Sequence, residues 1–316
     1  MTSVIRYTPP GGALFEVTTR TLQARHLLRP SAEANELIVG VLGRAQKLYP
    51  IELIGAVVLS NHYHLLARTP DAERLARFMC YANGNLAREL GRLHDWREKF
   101  WSRRYTAILV SDEERAQVAR LKYLLSNGAK EGLVEKPQDW PGVHCADSLL
   151  TGQPLRGTWF NRTQEYYTRL RHQRFDPYAY AEVQEIHFTK LPCWSHLSDT
   201  QYRQRIADLL TEIEQEAAEM RQQEGITLRA RRKMRRALQR IDPHSAPEEP
   251  KRSPPPKVHA ASKRVRQELI EAYGWFVTQY RAAADELRRG NRNARFPEGS
   301  FPPGLPFVRP EPARGP

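Results

Sequence analysis

Two histidines separated by one residue are the first feature of this sequence that could do chemistry. His62, Tyr63 and His64 follow an apolar run, and residues two apart in a strand point to the same side. Both imidazoles would therefore face one way, with their backbones about 6–7 Å apart. That arrangement is a workable pair of metal ligands. The alternative is two histidines that are hydrogen-bonded within the fold, and the triplet alone favours neither interpretation.

A tyrosine and an asparagine four residues apart form the second candidate group. Tyr123 and Asn127 would lie one above the other on one helical face. A metal held by two histidines and an amide oxygen would orient a phosphate and neutralise charge that develops on it. A tyrosine hydroxyl can then act as a covalent nucleophile. The alternative is a core tyrosine followed by an asparagine near the end of a helix.

Spacing does not single out this pair. Tyr81 and Asn85 have the same spacing on an earlier predicted helix. Tyr63 and Tyr105 are further candidates, although Tyr63 should face away from the two histidines. Both helices could pack on one face of the sheet, so the positions of the pairs in the β-α order must decide between them.

The elements that would position these residues follow from the periodicity of the apolar side chains. The predicted strands are 14–19, 51–59, 62–68 and 105–110. The predicted helices are 31–48, 75–93 and 112–126, with Ser31 and Ser111 as N-caps. The short turn at Ser60 and Asn61 predicts an antiparallel hairpin. The order β-α-β-β-α-β-α predicts an α+β fold: a ferredoxin-like antiparallel sheet with helices on one face and one helix added.

Composition limits the class of protein. The chain has 316 residues and a formal net charge of +13, which favours polyanionic partners such as nucleic acid. The sequence contains no run of about eighteen apolar residues, so no membrane span is predicted. The first ten residues lack a signal-peptide core, so we expect a cytoplasmic protein without membrane contacts. Three widely separated cysteines exclude a disulfide framework and a zinc-finger cluster.

Charge and proline are concentrated in the C-terminal half. Residues 221–264 contain thirteen basic and four acidic residues. Prolines cluster at 243–256 and 297–316, which predicts extended linkers or tails. We therefore expect a core domain over 10–150, a helical basic extension over 151–242, a Pro-rich linker over 243–262, a C-terminal helix over 263–290 and a Pro-rich tail over 291–316.

Four elements between residues 10 and 150 resemble the REP-associated tyrosine transposases of bacteria, which belong to the single-tyrosine HUH transposases. Residues 17–20 (VTTR) are similar to the "VTxR" strand of that family, and 61–66 (NHYHLL) to its "NHxHLL" element. Residues 101–105 (WSRRY) are similar to "WxxRY", and 123–134 (YLLSNGAKEGLV) to "YxxxNPxxxGLV". One departure is Gly128, where the family commonly has proline.

The resemblance implies a function for the candidate residues. His62 and His64 would be metal ligands, Asn127 a third ligand, and Tyr123 the nucleophile of an HUH nuclease core. The implied reaction cleaves and rejoins single-stranded or hairpin DNA at REP-like palindromes, through a 5′-phosphotyrosine and a free 3′-OH. A divalent metal, Mg²⁺ or Mn²⁺, is implied, and ATP is not required because the phosphotyrosine bond conserves the energy. Both a monomer and a homodimer are compatible with this reaction.

Two groups of basic residues are candidates for DNA contact. Arg103 and Arg104 precede the fourth predicted strand, where they could hold phosphates or form a solvated strand end. A second group is dense enough to suit a helix that follows a nucleic-acid backbone. It comprises Arg231, Arg232, Lys233, Arg235 and Arg236.

Two other functions remain open from the sequence. One is a non-catalytic regulator that uses the same fold to bind hairpin DNA or RNA. The other is a replication or plasmid-transfer nuclease of the wider HUH group, for which a second tyrosine or a helicase part would be expected and neither is evident. The presence of His62, His64 and Tyr123 together favours the DNA-cleaving enzyme.

Overall fold

The structure is a computed structural model that describes residues 5–171, 176–223, 225, 233, 236–247 and 256–303. Its strands are β1 (Ala13–Arg20), β2 (Glu52–Val58), β3 (His62–Thr69), β4 (Thr106–Val110), β5 (Leu155–Phe160), β6 (Ala181–Ile186) and β7 (Val258–His259). Its α-helices are α1 (Ala32–Leu48), α2 (Ala72–Leu93), α3 (Glu114–Leu125), α4 (Ala146–Thr151), α5 (Arg162–Arg169), α6 (Asp199–Gln223) and α7 (Lys263–Arg288). Within the described ranges, no helix has the length and apolar character needed to cross a membrane.

The central sheet has the strand order β2-β3-β1-β4-β7. Its first four strands pair antiparallel, and the short strand β7 joins β4 in parallel. The predicted α+β class and the ferredoxin-like order of the first four strands are confirmed. All four predicted strands and all three predicted helices of this part are present, with ends that differ by a few residues.

The register of β1 and β3 gathers polar side chains on one face of the sheet. Thr18 lies opposite His64, and Arg20 lies opposite His62. Directly opposed residues in an antiparallel pair present their side chains to the same face, and Glu16 shares that face because side chains alternate along a strand. Five polar side chains of two adjacent strands are therefore neighbours.

The helices cover both faces of this sheet. Helices α1 and α2 pack on the face that carries Phe15, Val17 and Leu65. Helix α3 packs on the opposite face, against Leu14 and Leu66. The prediction of helices on one face holds for α1 and α2 and is wrong for the added helix α3. Both faces of the central strands are apolar in part, so each needs a helix to exclude water.

The predicted N-caps have different outcomes. Ser31 caps α1, because its hydroxyl oxygen accepts the N–H of Ala34 at 3.1 Å. The N-cap of α3 is Glu113, so the prediction of Ser111 was wrong. The reason is that Ser111 still belongs to the sheet edge, where its N–H donates to the carbonyl of His259 at 2.8 Å.

The extension predicted as helical over 151–242 begins with a second sheet. Strands β5 and β6 form an antiparallel pair that packs against α1. A Cβ atom at Gly40 of α1 would lie 2.0 Å from the carbonyl oxygen of Thr158, so only glycine permits this approach. Helix α6 then buries Ile206 and Leu209 in the cluster that also contains the apolar side of α3.

The segment predicted as a linker over 243–262 contributes a strand to the central sheet. In β7, Val258 pairs with Leu109 and His259 pairs with Val110 of the β4 edge. The predicted C-terminal helix is present as α7, and its Phe276 ring lies 4.2 Å from the ring of Tyr7 near the N-terminus. Residues of the described range 256–303 therefore pack on the core.

Candidate active site

Strand β3 presents both candidate histidines on the face that α3 covers. The ring centroids of His62 and His64 are 5.0 Å apart. Tyr63 points to the opposite face, as predicted, where it is fully buried and its hydroxyl donates to Asn83 Oδ1 at 2.6 Å. The alternation of a β-strand thus separates the two imidazoles from the intervening phenol.

Helix α3 brings Tyr123 to these histidines. The ring centroid of Tyr123 lies 5.8 Å from that of His64, and the tyrosine is 38% exposed. The alternative candidate, Tyr81, packs on the other face of the sheet, where its ring centroid lies 6.1 Å from that of Tyr49. Of the two tyrosine–asparagine pairs, the pair on α3 is the one on the histidine face.

Asn127 closes the C-terminal end of α3. Its side chain is almost fully buried, and its Nδ2 donates to the carbonyls of Tyr123 at 3.0 Å and Leu124 at 2.9 Å. The next residue, Gly128, has a φ of +90°. Proline, whose ring fixes φ near about −65°, could not adopt this backbone. Glycine at the family's proline position therefore gives this chain a different helix exit.

A buried carboxylate supports His64 from β1. The Nδ1 atom of His64 lies 3.2 Å from Glu16 Oε1 and 3.1 Å from Thr18 Oγ1. The other carboxylate oxygen of Glu16 lies 2.8 Å from His259 Nε2 and 3.5 Å from Arg120 Nη1. Burial acts to raise the pKa of Glu16, but the contacts with the imidazoles of His259 and His64 outweigh it and hold the pKa well below its usual range.

The two histidines meet the chemical requirements of metal ligands. His62 Nδ1 lies 2.6 Å from Asn61 Oδ1, and Glu16 is the corresponding acceptor for His64. When Nδ1 of each ring carries the proton, the lone pair of Nε2 is available for a metal. Burial lowers the pKa of His62 well below its usual value, and the charges of His64, Arg20 and Lys130 act in the same direction.

The candidate metal site is built from two histidines and differs from a structural site with four protein ligands. Among the residues that the structure describes, no group of three or more His, Cys, Asp and Glu side chains is arranged to hold a metal ion. Two imidazoles leave coordination positions open for oxygens of a substrate, as in catalytic metal sites. The residues present therefore fit a metal that shares its coordination with a phosphate.

Two cations lie over the ring of Tyr123. Lys130 Nζ is 3.6 Å and Arg120 Cζ is 5.0 Å from the ring centroid. Burial raises the pKa of the Tyr123 phenol, and the carboxylates of Glu16 and Glu131 add to this, whereas Arg120 and a further arginine of β1 oppose them. The cations therefore lie where they would stabilise a phenolate or an attached phosphate.

The predicted DNA-contacting residues have different outcomes. Arg103 and Arg104 are exposed before β4. Burial lowers the pKa of Arg20; the charge of Tyr123 opposes this, and the charge of Arg103 adds to it. Lys233 and Arg236 are exposed and helical. Arg231, Arg232 and Arg235 lie outside the described residues.

Sequence reasoning missed four residues that the structure brings to the site: Glu16, Arg120, Lys130 and His259. The signal for Glu16 was available, since alternation along β1 places it with Thr18 and Arg20 on the face opposite Phe15 and Val17. For His259 the local sequence gives no signal, because it lies in a proline-rich stretch far from the other site residues.

A comparison with protein families identifies the core. Residues 23–124 match the family model described as "Transposase IS200 like". This segment is similar to the IS200-like transposases. It is about a third of the chain, and it contains His62, His64 and Tyr123 but ends before Asn127. The match agrees with the resemblance to transposases that the motifs of this segment indicate.

Two solved structures are similar to parts of this chain. One is a REP-associated tyrosine transposase bound to a REP hairpin, at 19% identity and a TM-score of 0.40, covering 48% of this chain and 87% of that chain. The other is described as a candidate transposase from Deinococcus radiodurans R1, at 18% identity and a TM-score of 0.28, covering 39% of this chain and 98% of that chain. No curated protein sequence matches the chain.

Proposed function

We propose that this protein cleaves and rejoins single-stranded or hairpin DNA, with Tyr123 as the nucleophile. The observation that carries the proposal is the row of rings formed by His62, His64 and Tyr123, with centroid separations of 5.0 Å and 5.8 Å. A phosphate beside these three rings would be within reach of a metal ion held by the two imidazoles and of the phenol oxygen of Tyr123. The match of residues 23–124 to the IS200-like transposase family model supports the same reaction class.

The proposed reaction exchanges one phosphate ester for another. The phenol oxygen of Tyr123 attacks the phosphorus, and the bond from phosphorus to the 3′ oxygen breaks. The phenol proton leaves to solvent and the departing 3′ oxygen takes up a proton, which gives a 5′-phosphotyrosine and a free 3′-OH. Attack by a 3′-OH on the phosphotyrosine reverses the step. No ATP is needed because the number of phosphate ester bonds does not change.

Each residue of the site has a role in this proposal. His62 and His64 would hold the divalent metal, Mg²⁺ or Mn²⁺, which when bound would orient the phosphate and offset its charge. Lys130 and Arg120 would lower the cost of the phenolate that burial makes unfavourable. Asn127 stabilises the last turn of α3 by donating hydrogen bonds to the carbonyls of Tyr123 and Leu124. Its role as a third metal ligand stays a prediction.

The DNA substrate is proposed from charge and from the sequence resemblance. The net charge of +13 favours a polyanion. The exposed Arg103 and Arg104 lie next to the strand end that carries the site residues, where we propose that they bind phosphates. A REP-like hairpin is the proposed form of the substrate because four elements of the core resemble the REP-associated group.

The experiment that tests this function maps the covalent bond. A hairpin oligonucleotide is labelled on either side of the expected cut and incubated with the protein and Mn²⁺. We expect the strand downstream of the cut to travel with the protein on a denaturing gel, and the upstream strand to end in a free 3′-OH. Digestion and mass spectrometry should locate the nucleotide adduct on the peptide that contains Tyr123.

Three results would contradict this proposal in whole or in part. Tight hairpin binding without any adduct would favour the non-catalytic regulator. Release of both strands without a protein-bound product would indicate a hydrolytic nuclease. Adduct formation on a tyrosine other than Tyr123 would keep the enzyme class and reject the site.

A further inference from the structure

The segment that follows the proline-rich stretch returns to the edge of the central sheet. Strand β7 pairs with β4 in parallel, and the N–H of Ser111 donates to the carbonyl of His259 at 2.8 Å. Val258 is buried at this edge. Backbone pairing with a buried anchor fixes where the side chain of His259 points.

The side chain of His259 contacts the carboxylate that supports His64. His259 Nε2 is 2.8 Å from Glu16 Oε2, while Glu16 Oε1 is 3.2 Å from His64 Nδ1. The side chains of His259 and Glu16 are only 14% and 8% exposed, so water does not replace these contacts readily. Glu16 therefore connects a residue from the C-terminal part of the chain to a proposed metal ligand.

The same segment also contacts the start of the helix that carries Tyr123. The N–H groups of Ala261 and Ser262 donate to the carboxylate of Glu113, at 2.8 Å and 3.1 Å. Glu113 is the N-cap residue of α3. A few residues after position 255 thus contact both Glu16, beside the histidines, and the N-terminal end of the helix that carries Tyr123.

We propose that His259 is a positioning residue for the active site, acting through Glu16 on His64. The carboxylate group of Glu16 can rotate about its side-chain bond. When one of its oxygens accepts a hydrogen bond from Nδ1 of His64, the proton is held on Nδ1 and the ring is held in place. His259 occupies one oxygen, which leaves the other directed at His64 Nδ1. The inference rests on the proposed function, in which His64 holds the metal through its other nitrogen.

The consequence is that catalysis depends on the docking of the C-terminal segment. The family match ends at residue 124, and Glu16 and His259 both lie outside it. A core without residues 256–262 would keep its histidines and tyrosine but lose the shorter of the two contacts to Glu16 Oε2, so that only Arg120 would remain there, at 3.5 Å. The C-terminal part would then be a component of the active site as well as a region for DNA contact.

The test uses full-length protein and the variants His259→Ala and His259→Gln. Mn²⁺ binding is measured by titration calorimetry without DNA, and hairpin cleavage is measured against Mn²⁺ concentration. We expect His259→Ala to bind Mn²⁺ about tenfold more weakly, as is typical when a supporting partner of a metal ligand is removed. His259→Gln should recover most of the affinity, because its amide can donate to Glu16.

A matched control is His187→Ala. The side chain of His187 is 66% exposed and pairs with Glu185 at 3.1 Å, away from the site. This variant should bind Mn²⁺ and cleave as the unmodified protein does. Thermal unfolding of all variants separates a positioning effect from a loss of fold, since His259→Gln should unfold at nearly the unmodified temperature.

The outcomes separate this inference from the proposed function. If the unmodified protein forms the adduct and His259→Ala binds Mn²⁺ with unchanged affinity, the inference is overturned and the function stands. Equal weakening by His259→Ala and His259→Gln, or no Mn²⁺ binding by the unmodified protein, also overturns it. If no adduct forms but the expected affinity pattern appears, the positioning role is supported and the proposed reaction fails.

Discussion

The two faces of the central sheet differ although the same strands build both. One face is closed by α1 and α2 over a continuous apolar surface that includes Phe15 and Val17. The face under α3 is apolar towards one end and carries Glu16, His62 and His64 towards the other. Alternation along β1 and β3 is the cause, because it places Glu16, His62 and His64 on the α3 face, together with Leu14 and Leu66, and leaves Phe15, Val17 and Leu65 for the other face.

Each face also carries a tyrosine and an asparagine at the same spacing. Asn85 Nδ2 donates to the carbonyl of Tyr81 at 2.8 Å, and Asn127 Nδ2 donates to the carbonyl of Tyr123 at 3.0 Å. The two pairs therefore share this hydrogen bond, although Asn85 lies inside α2 and Asn127 lies just beyond the end of α3. What distinguishes them is the sheet beneath, which presents histidines to one pair and a packed core to the other. A site is made by its surroundings more than by the spacing within one helix.

The largest expected effect comes from removing the hydroxyl of Tyr123, and removing the hydroxyl of Tyr81 on the other face is the control. Tyr123→Phe should fold, bind hairpin DNA and form no covalent adduct, because the nucleophile is absent and the packing is kept. Tyr81→Phe, the matched control, should form the adduct at close to the unmodified rate. Denaturing gels of both variants check this. An adduct that survives in Tyr123→Phe and disappears in Tyr81→Phe would reverse the assignment of the two faces.

The next effect concerns the imidazoles. His62→Ala or His64→Ala should slow cleavage by about a thousandfold, since metal stabilisation of phosphate charge contributes several kcal/mol. Hairpin binding, measured by gel shift, should change little, and chelator should have the same effect on the unmodified protein. Tyr63→Phe removes a hydroxyl from the opposite face and should leave cleavage intact. Full cleavage in the double alanine variant would rule out these residues as metal ligands.

A smaller effect compares the two asparagines. Asn127 is almost fully buried and donates to two carbonyls, so Asn127→Ala should cost about 1–3 kcal/mol of unfolding free energy. Asn85 is half-buried, and Asn85→Ala should cost about 0.5–1.5 kcal/mol. Urea unfolding measures both. Weaker Mn²⁺ binding in Asn127→Ala alone would support its role as a third ligand, and unchanged binding would restrict it to the helix end.

The smallest expected effect lies in the basic segment outside the core. Neutralising Lys233 and Arg236 to glutamine should weaken hairpin binding, and its logarithmic salt dependence should fall by roughly one unit for each phosphate that the protein no longer neutralises. The cleavage rate at saturating DNA should not change. Arg77→Gln, which removes an exposed cation on α2, serves as the control. An unchanged salt dependence would show that these two side chains do not bind DNA.

The sequence was a good guide to the core because the information for strands and amphipathic helices is local. Apolar periodicity predicted the elements from β1 to α3, and Ser31 was correctly predicted as the cap of α1. The assignments that failed involve partners far along the chain. Ser111 bonds to the returning segment instead of capping α3, and the linker over 243–262 contains β7, because an edge strand can accept any extended segment that reaches it.

The same division applies to the site. The motifs of the chain identified His62, His64 and Tyr123 as candidates, and alternation along β3 predicted correctly that Tyr63 faces away from the imidazoles. Only the tertiary structure decided that α3 packs on the histidine face and α2 on the other. It also brought Glu16, Lys130 and His259 together, residues that are up to 243 positions apart. Local patterns determine which side chains share a face of one element, whereas contacts between elements depend on how the whole chain packs.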